Sequence, residues 1–297
     1  MNSLNIVKIK NDNAELNILP DFGGKISSFS FNDFNVFRPL PIDNLELLEN
    51  YKGGCFSLIP FSNRIKNAKF YFDNSLYKIK NNENTLPHSI HGHGYLGKWE
   101  LIKKTPSTVI ISYLHHANTL GWPWEYKVHQ TISLYDYTCS IEITITNNSR
   151  DLMPFGFGIH PFFNFDDEVK LRFEAEREWI GPPETFPTKT QIIKDDFNYT
   201  NGNDLWKIEK TVSYENFKGN ININWVNKKK EITLKADKIF NHLIIHVPSG
   251  SEYFCAEPVS QPTDGFNLAY NKIENVKNRF LKPGESITGL IEITLNS

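Results

Sequence analysis

A period-two alternation of apolar and polar residues is the feature of this sequence that most constrains its fold. Residues 138–146, TCSIEITIT, place cysteine or isoleucine at every second position, as a half-buried strand does. Residues 126–134 (YKVHQTISL) and 286–295 (SITGLIEITL) repeat the pattern, whereas amphipathic helical periodicity is almost absent. Gly, Pro, Asn and Asp separate the apolar runs at short intervals. The sequence therefore predicts an all-β fold, a large antiparallel β-sandwich.

No change in composition divides the 297 residues into separate units. The most loop-like segment, residues 181–202, is expected to cross the surface within one domain. Large all-β folds often reach this length as one unit, and a chain this long can bury a sizeable core. We therefore predict a single domain that spans residues 1–297.

The composition argues against nucleic acid and membrane as partners. The chain has 32 basic and 34 acidic side chains, a net charge of −2 and no long basic block. The first ten residues lack the apolar segment of a signal peptide, and no stretch approaches the ~18 apolar residues of a membrane span. Cys55, Cys139 and Cys255 show no CxxC spacing, so we expect free thiols and a cytoplasmic location.

Residues 57–70, SLIPFSNRIKNAKF, carry the first candidate binding residues. Asn63 and Arg64 follow an apolar run. A guanidinium group offers a rigid fork of donors that suits vicinal hydroxyls or a carboxylate. A partly buried arginine in a structural ion pair is the open alternative.

Residues 86–99, LPHSIHGHGYLGKW, contain His88, His91 and His93. Histidines at this density suggest metal binding, which needs three or four ligands in fixed geometry. A metallohydrolase pattern has an acidic residue soon after the second histidine, but residues 94–96 here are Gly-Tyr-Leu. We therefore expect these imidazoles to contact hydroxyl groups of a ligand, with no metal.

Residues 154–165, PFGFGIHPFFNF, place His160 among phenylalanines, with Pro161 directly after it. A histidine in apolar surroundings is often an ordinary core residue, but the glycines and the proline indicate a backbone shaped around an opening. The unperturbed pKa of an imidazole is ~6.5, so a nearby carboxylate would hold His160 as a proton donor at neutral pH.

Residues 253–268, YFCAEPVSQPTDGFNL, place Glu257 after four apolar or aromatic residues and before a proline. An acidic residue at the end of a buried strand is expected to be paired or functional. A carboxylate stays ionised at pH 7 unless it is strongly desolvated. Glu257 is therefore a candidate general base.

These segments, together with residues 19–31 (LPDFGGKISSFSF) and 120–134, resemble the aldose 1-epimerase (galactose mutarotase) family in order and across nearly the whole chain. The resemblance implies a galactose mutarotase-like supersandwich that needs no cofactor. It implies that His160 is the general acid and Glu257 the general base. It also implies that Arg64 and His91 hold the sugar near its hydroxyls and ring oxygen, and we expect Asn63 beside them.

Two departures from the family pattern concern the sugar. The family usually has a sugar-binding Asp before the last third of the chain, and the best counterpart here is Glu215 or Asn216 in YENFKG. His93 stands where galactose-type members often have Gly, so we expect a narrower or more polar pocket there.

The predicted function is interconversion of the α and β anomers of a free aldose by ring opening and reclosure. One alternative is a hexose-6-phosphate 1-epimerase, which needs cationic groups that the motifs beyond Arg64 scarcely supply. Another is a non-catalytic carbohydrate-binding protein on the same fold, against which the presence of both His160 and Glu257 argues. The expected partner is a monosaccharide, and we expect a monomer or a homodimer.

Overall fold

The computed structural model describes residues 4–44, 51–81, 85–181, 186–205 and 210–296. Strands account for most of the regular structure in these residues. In chain order they are β1 (Val7–Lys10), β2 (Ala14–Leu19), β3 (Lys25–Phe31), β4 (Phe34–Asn35), β5 (Cys55–Leu58), β6 (Arg64–Ile65), β7 (Lys69–Phe72), β8 (Ser75–Lys78), β9 (Ser89–Ile90), β10 (Glu100–Lys104), β11 (Thr108–His115), β12 (Tyr126–Tyr135), β13 (Thr138–Asn147), β14 (Met153–Pro154), β15 (Gly158–Asn164), β16 (Val169–Phe173), β17 (Arg177–Ile180), β18 (Lys189–Ile192), β19 (Asn203–Asp204), β20 (Thr211–Glu215), β21 (Asn220–Trp225), β22 (Lys230–Ala236), β23 (His242–His246), β24 (Tyr253–Val259), β25 (Phe280–Leu281) and β26 (Ser286–Leu295).

Helical structure is confined to short pieces in the described residues. One α-helix, α1, covers Gly265–Tyr270, and 3-10 turns lie at Lys66–Ala68, Gly94–Leu96, Thr119–Gly121 and Asp195–Phe197. Within these ranges no helix is both long and apolar enough to cross a bilayer.

Two large sheets contain most of the strands. The first has the order β1-β2-β3-β5-β15-β24-β23-β20-β17-β18, with β4 paired to β3. The second has the order β10-β11-β12-β13-β26-β22-β21-β16-β19. Their strands pair antiparallel, and side chains of both sheets belong to one hydrophobic core, in which Phe163 of the first sheet contacts Trp225 of the second. The predicted all-β antiparallel architecture is confirmed.

The alternating pattern of residues 138–146 forms β13, whose isoleucines face the core while the intervening side chains are more exposed. The central strands β15 and β24 differ, because almost every residue in them is buried. One face of this pair meets the core, and the other is covered by residues that follow β5, including His91 against His160. A covered face at the centre of a sheet provides a dry place for reactive groups.

The segment 181–202 is more structured than the sequence suggests. Residues 182–185 lie outside the described ranges, but β18 pairs with β17 at the edge of the first sheet. The loop-like composition of the segment gives no sign of this strand, because an edge strand of four residues has only one neighbour and needs little apolar alternation.

Candidate active site

His160 and Glu257 lie opposite each other on neighbouring strands. The register of β15 and β24 pairs Gly158 with Val259 and Phe162 with Cys255, which leaves His160 facing Glu257. The imidazole Nε2 is 3.4 Å from Oε1 of the carboxyl group, and the two residues are only 7% and 2% exposed. The pairing of the strands alone therefore brings together an acid and a base separated by nearly a hundred residues of sequence.

Aromatic rings fix the orientation of the His160 imidazole. Phe56 stacks on one side, with ring centroids 4.8 Å apart and an interplanar angle of 22°, and Phe162 lies 4.6 Å away at 21°. His91 meets the imidazole edge-on, with centroids 5.0 Å apart. These contacts exclude water and leave the imidazole little freedom to rotate away from Glu257.

Burial favours the neutral forms of both groups. It lowers the pKa of His160 well below its ordinary value, an effect that His91 and His246 add to, and it raises the pKa of Glu257 to about 8 against the opposing charge of Arg64. The proton of the unliganded pair therefore resides on the carboxyl group. The expectation that the carboxylate keeps His160 protonated is wrong for this state, because two buried charges cost more in lost hydration than their attraction returns.

Arg64, Asn63 and His91 are held by the small pair of strands β6 and β9. Arg64 pairs with Ile90, and the backbone N–H of His91 donates to the carbonyl oxygen of Asn63 at 2.9 Å. The side-chain oxygen of Asn63 accepts from the Arg64 N–H at 2.8 Å. Burial, and secondly Arg64, lowers the pKa of His91 to about 3, so this imidazole is neutral. The structure brings these three predicted residues to the His160–Glu257 pair.

Three other predicted contact residues lie elsewhere. His93 is 1% exposed and stacks on His115 inside the core, with centroids 4.7 Å apart. Glu215 is buried at the end of β20, opposite His242, and Asn216 donates to Glu176 at 2.9 Å near the surface. These placements do not favour a sugar contact for His93, Glu215 or Asn216, because none of them adjoins the pair.

A cavity of about 350 Å³ shares Asn63 and Arg64 with the site and contains residues that no motif indicated. It is lined in part by Asn63 and Arg64 and in part by β17, β20 and the residues before them, notably Trp179, Lys194, Lys210, Thr211 and Ser213. His246, on β23, lies close by, with its Nδ1 2.7 Å from the Thr211 hydroxyl oxygen. The sequence feature that could have pointed to this cavity is the strand HLIIH, which has a histidine at each end.

His160, Cys255 and Glu257 form the one cluster with metal-ligand chemistry among the described residues, their ligand atoms lying within 4.8 Å of one another. Burial raises the pKa of the Cys255 thiol well above its ordinary value and also protonates Glu257. A metal would need both groups deprotonated. The chemistry of this donor set therefore does not favour an ion, and a metal-free site stays a prediction.

Replacing Glu257 with glutamine is expected to stabilise the fold increasingly as the pH rises. An unfolded chain releases the Glu257 proton near the ordinary pKa of 4.5, whereas the folded protein retains it up to about pH 8. Each pH unit in that window lowers the wild-type free energy of unfolding by about 1.4 kcal/mol, and glutamine has no such proton. The lowered pKa of His160 changes the free energy of unfolding only below pH 6.5, the ordinary pKa of a histidine side chain.

Urea unfolding of wild type and Glu257→Gln at pH 6.5 and pH 8 measures this effect. The wild type should lose about 2 kcal/mol relative to the variant across that interval. Parallel losses in the two proteins would mean that the carboxylate is already ionised in the folded state.

Comparisons with known proteins bear on the family and the fold. The family model described as aldose 1-epimerase matches residues 5–294. The uncharacterized protein YphB of Escherichia coli K12 is 26% identical over 160 residues, which are 54% of this chain, and the match spans about half of YphB (52%).

Two solved structures share the fold. A galactose mutarotase-like protein from Clostridium acetobutylicum superposes with a TM-score of 0.85 at 18% identity, and a GalM/aldose epimerase homologue from C. elegans does so with 0.82 at 20%. Each alignment covers 99% of both chains. At these identities the structures establish the architecture only.

Proposed function

The chain belongs to the aldose 1-epimerase family, and we propose that it interconverts the α and β anomers of an aldose whose anomeric carbon is free. The observation that carries the proposal is the buried pair of His160 Nε2 and Glu257 Oε1, 3.4 Å apart. The charge of Arg64 acts on Glu257, and Arg64 also lines a cavity large enough for a monosaccharide. The reaction requires one group that gives a proton and one that takes a proton. The His160–Glu257 pair carries one proton, so that one of its two groups can give a proton while the other takes one.

In the proposed reaction, Glu257 takes the proton of the C1 hydroxyl while His160 protonates the ring oxygen. The C1–O5 bond breaks and the open-chain aldehyde forms. Rotation about the C1–C2 bond and reclosure, with the two groups in exchanged roles, yields the other anomer. Each positioned group is expected to contribute about 10²- to 10⁴-fold.

The pair in the structure differs from the pair in the proposed reaction in the position of one proton. In the unliganded pair the carboxyl group is protonated, and the reaction as written begins with an ionised carboxylate and an imidazolium. Transfer over 3.4 Å is sufficient to produce that state. Sugar hydroxyls and the Arg64 guanidinium would stabilise it, since Arg64 already lowers the pKa of Glu257.

Arg64, Asn63 and His91 are proposed to position the sugar. The Nδ1 atom of His91 is buried and has no hydrogen-bond partner among the described residues, so it can bond a hydroxyl. Arg64 can donate to ring or hydroxyl oxygens beside Glu257. Asn63 holds the backbone of Arg64 and thereby fixes the direction of its side chain.

Polarimetry on fresh α-D-glucose and α-D-galactose tests the proposed activity. The protein should accelerate the approach to anomeric equilibrium of an aldose well above buffer, and NMR saturation transfer at equilibrium should show exchange between the anomers. Sugar binding without any acceleration, for these sugars and for their 6-phosphates, would contradict the proposal and identify a carbohydrate-binding protein.

A further inference from the structure

The cavity of about 350 Å³ lies on the face of the first sheet to which Glu257 points. Glu257 pairs with Ile244 of β23, and Ile244 pairs with Ser213 of β20, which lines the cavity. Directly paired residues point to the same face, and neighbouring strands are about 4.8 Å apart, so Ser213 lies about 10 Å from Glu257. A sugar whose C1 sits at Glu257 would therefore direct its far end into this cavity.

Cationic side chains predominate around the site. Arg64, Lys194 and Lys210 line this cavity, and Lys25 and Lys52 line a smaller one of about 80 Å³ that His160 also lines. Among the described residues that line the two cavities, the only acidic one is Glu178, which accepts a hydrogen bond from Gln191. Lys194 and Lys210 therefore give the larger cavity a positive potential that attracts an anionic ligand.

The cavity also presents hydrogen-bond donors that lack acceptors. Trp179 is 7% exposed, and its indole N–H has no partner among the described residues. The buried hydroxyl of Ser213 has none either. An indole N–H can only donate, and leaving it buried and unpaired is costly. Donors combined with cations fit a ligand group rich in acceptor oxygens.

The titration of His246 agrees with a positive potential at this place. Burial, and then the charges of Arg64 and Lys52, lower its pKa to about 4. His246 therefore stays neutral at pH 7, and the positive charge comes from permanent cations. Its contact with Thr211 places it at the border between the pair and the cavity.

The pKa of the proposed base, Glu257, does not depend on the two lysines of the cavity, Lys194 and Lys210. Arg64 is the charge that lowers the pKa of Glu257, and neither Lys194 nor Lys210 contributes to that pKa. Lys210 instead lies over the ring of Phe197, with its Nζ 4.3 Å from the ring centroid. These two lysines are thus available to a part of the substrate that is remote from the reacting carbon.

We propose that the substrate is an aldose that carries an anionic group away from its anomeric carbon, and that Lys194 and Lys210 bind this group. The inference rests on the proposed anomerase function and specifies its substrate class. Phosphate, sulfate and carboxylate share the required chemistry. A phosphate ester, with nearly two negative charges and three terminal oxygens, matches the two lysines best.

The test compares glucose 6-phosphate, glucose 6-sulfate, glucuronate and glucose as substrates of the wild type and of Lys194→Gln/Lys210→Gln. The wild type should show a kcat/KM for glucose 6-phosphate at least about 10-fold above that for glucose, and the double variant should lose about 10-fold for the phosphate, mainly through KM, with a much smaller loss for glucose. The preference should weaken at high salt. Lys103→Gln/Lys104→Gln, on the exposed strand β10, is the charge-matched control and should keep the preference.

Calorimetric binding to Glu257→Gln separates this inference from the proposed function. If no sugar is turned over but glucose 6-phosphate binds more tightly than glucose and the lysine variant loses that difference, the anion site stands and the epimerase proposal fails. Equal kcat/KM and equal binding for charged and neutral sugars, or an unchanged preference in the lysine variant, would overturn the anion site. A preference for the sulfate or for glucuronate would keep the site and identify a different anion.

Discussion

Glu257→Gln is expected to lower kcat for anomerisation by about 10²- to 10⁴-fold. The amide has nearly the shape of the carboxyl group but cannot take the proton of the C1 hydroxyl. Because the native carboxyl group is buried and neutral before substrate binds, a neutral amide should fit the same space beside His160. KM should change much less than kcat. Initial rates by polarimetry, on whichever sugar the wild type prefers, give both constants.

A second variant shows whether the two groups act as a unit. His160→Gln should cost a similar factor, and the double variant should be little worse than either single one, because the loss of one partner disables the other. His116→Gln is the control, since His116 is an exposed imidazole 3.5 Å from Glu125 and should leave the rate unchanged. A Glu257→Gln enzyme that keeps a large part of the wild-type kcat would remove Glu257 from the role of base.

The sheet architecture was predictable because it depends on local pattern. Strands β12, β13 and β26 carry the alternation in consecutive residues, and their burial follows it. His160 and Glu257 could also be identified, since each lies in an apolar strand where an ionisable group needs a reason to be buried. What the sequence did not contain is the position of the proton between them. That depends on how completely water is excluded, which follows from rings supplied by distant segments such as Phe56.

His93 shows how backbone conformation separates histidines that are close in sequence. His91 and His93 were both expected at the ligand because histidines are dense in this segment, and residues two apart on an extended chain would point the same way. His91 has φ +62° and Gly92 has φ +70°, which interrupts the extended conformation between the two histidines. The second imidazole is consequently in the core against His115, away from His160.

The cationic cavity was not predictable, because it depends on register between remote strands. Lys194 precedes a 3-10 turn and Lys210 precedes β20, in stretches with no motif, and both meet Arg64 from more than a hundred residues earlier. Register between remote strands also explains why Glu215 lies away from Glu257. Glu215 is on β20, two positions beyond Ser213, and Ser213 is the residue aligned with Glu257. Glu215 is therefore about 7 Å along the strand from that aligned position.

Gly92→Ala is expected to lower the free energy of unfolding by about 3–5 kcal/mol and to displace His91. Gly92 has a positive φ of 70°, and a Cβ atom there would lie 2.0 Å from the carbonyl oxygen of Ile59. Gly92 forms a bridge with Ile59, and the same carbonyl accepts the N–H of His93 at 2.6 Å, so the backbone has no room to yield. Urea unfolding measures the loss, and any folded variant should show a reduced kcat/KM because His91 lies against His160.

Gly250→Ala separates the steric clash from the cost of the backbone conformation. Gly250 has φ +67°, nearly the same as Gly92, but no atom of the described residues lies within 4 Å of a Cβ atom built there. It should therefore lose only about 1 kcal/mol, the usual cost of a left-handed non-glycine residue. The difference between the two variants then isolates the contact with Ile59. If Gly92→Ala proved no less stable than Gly250→Ala, close packing of these two backbone segments could not be what holds His91 in the site.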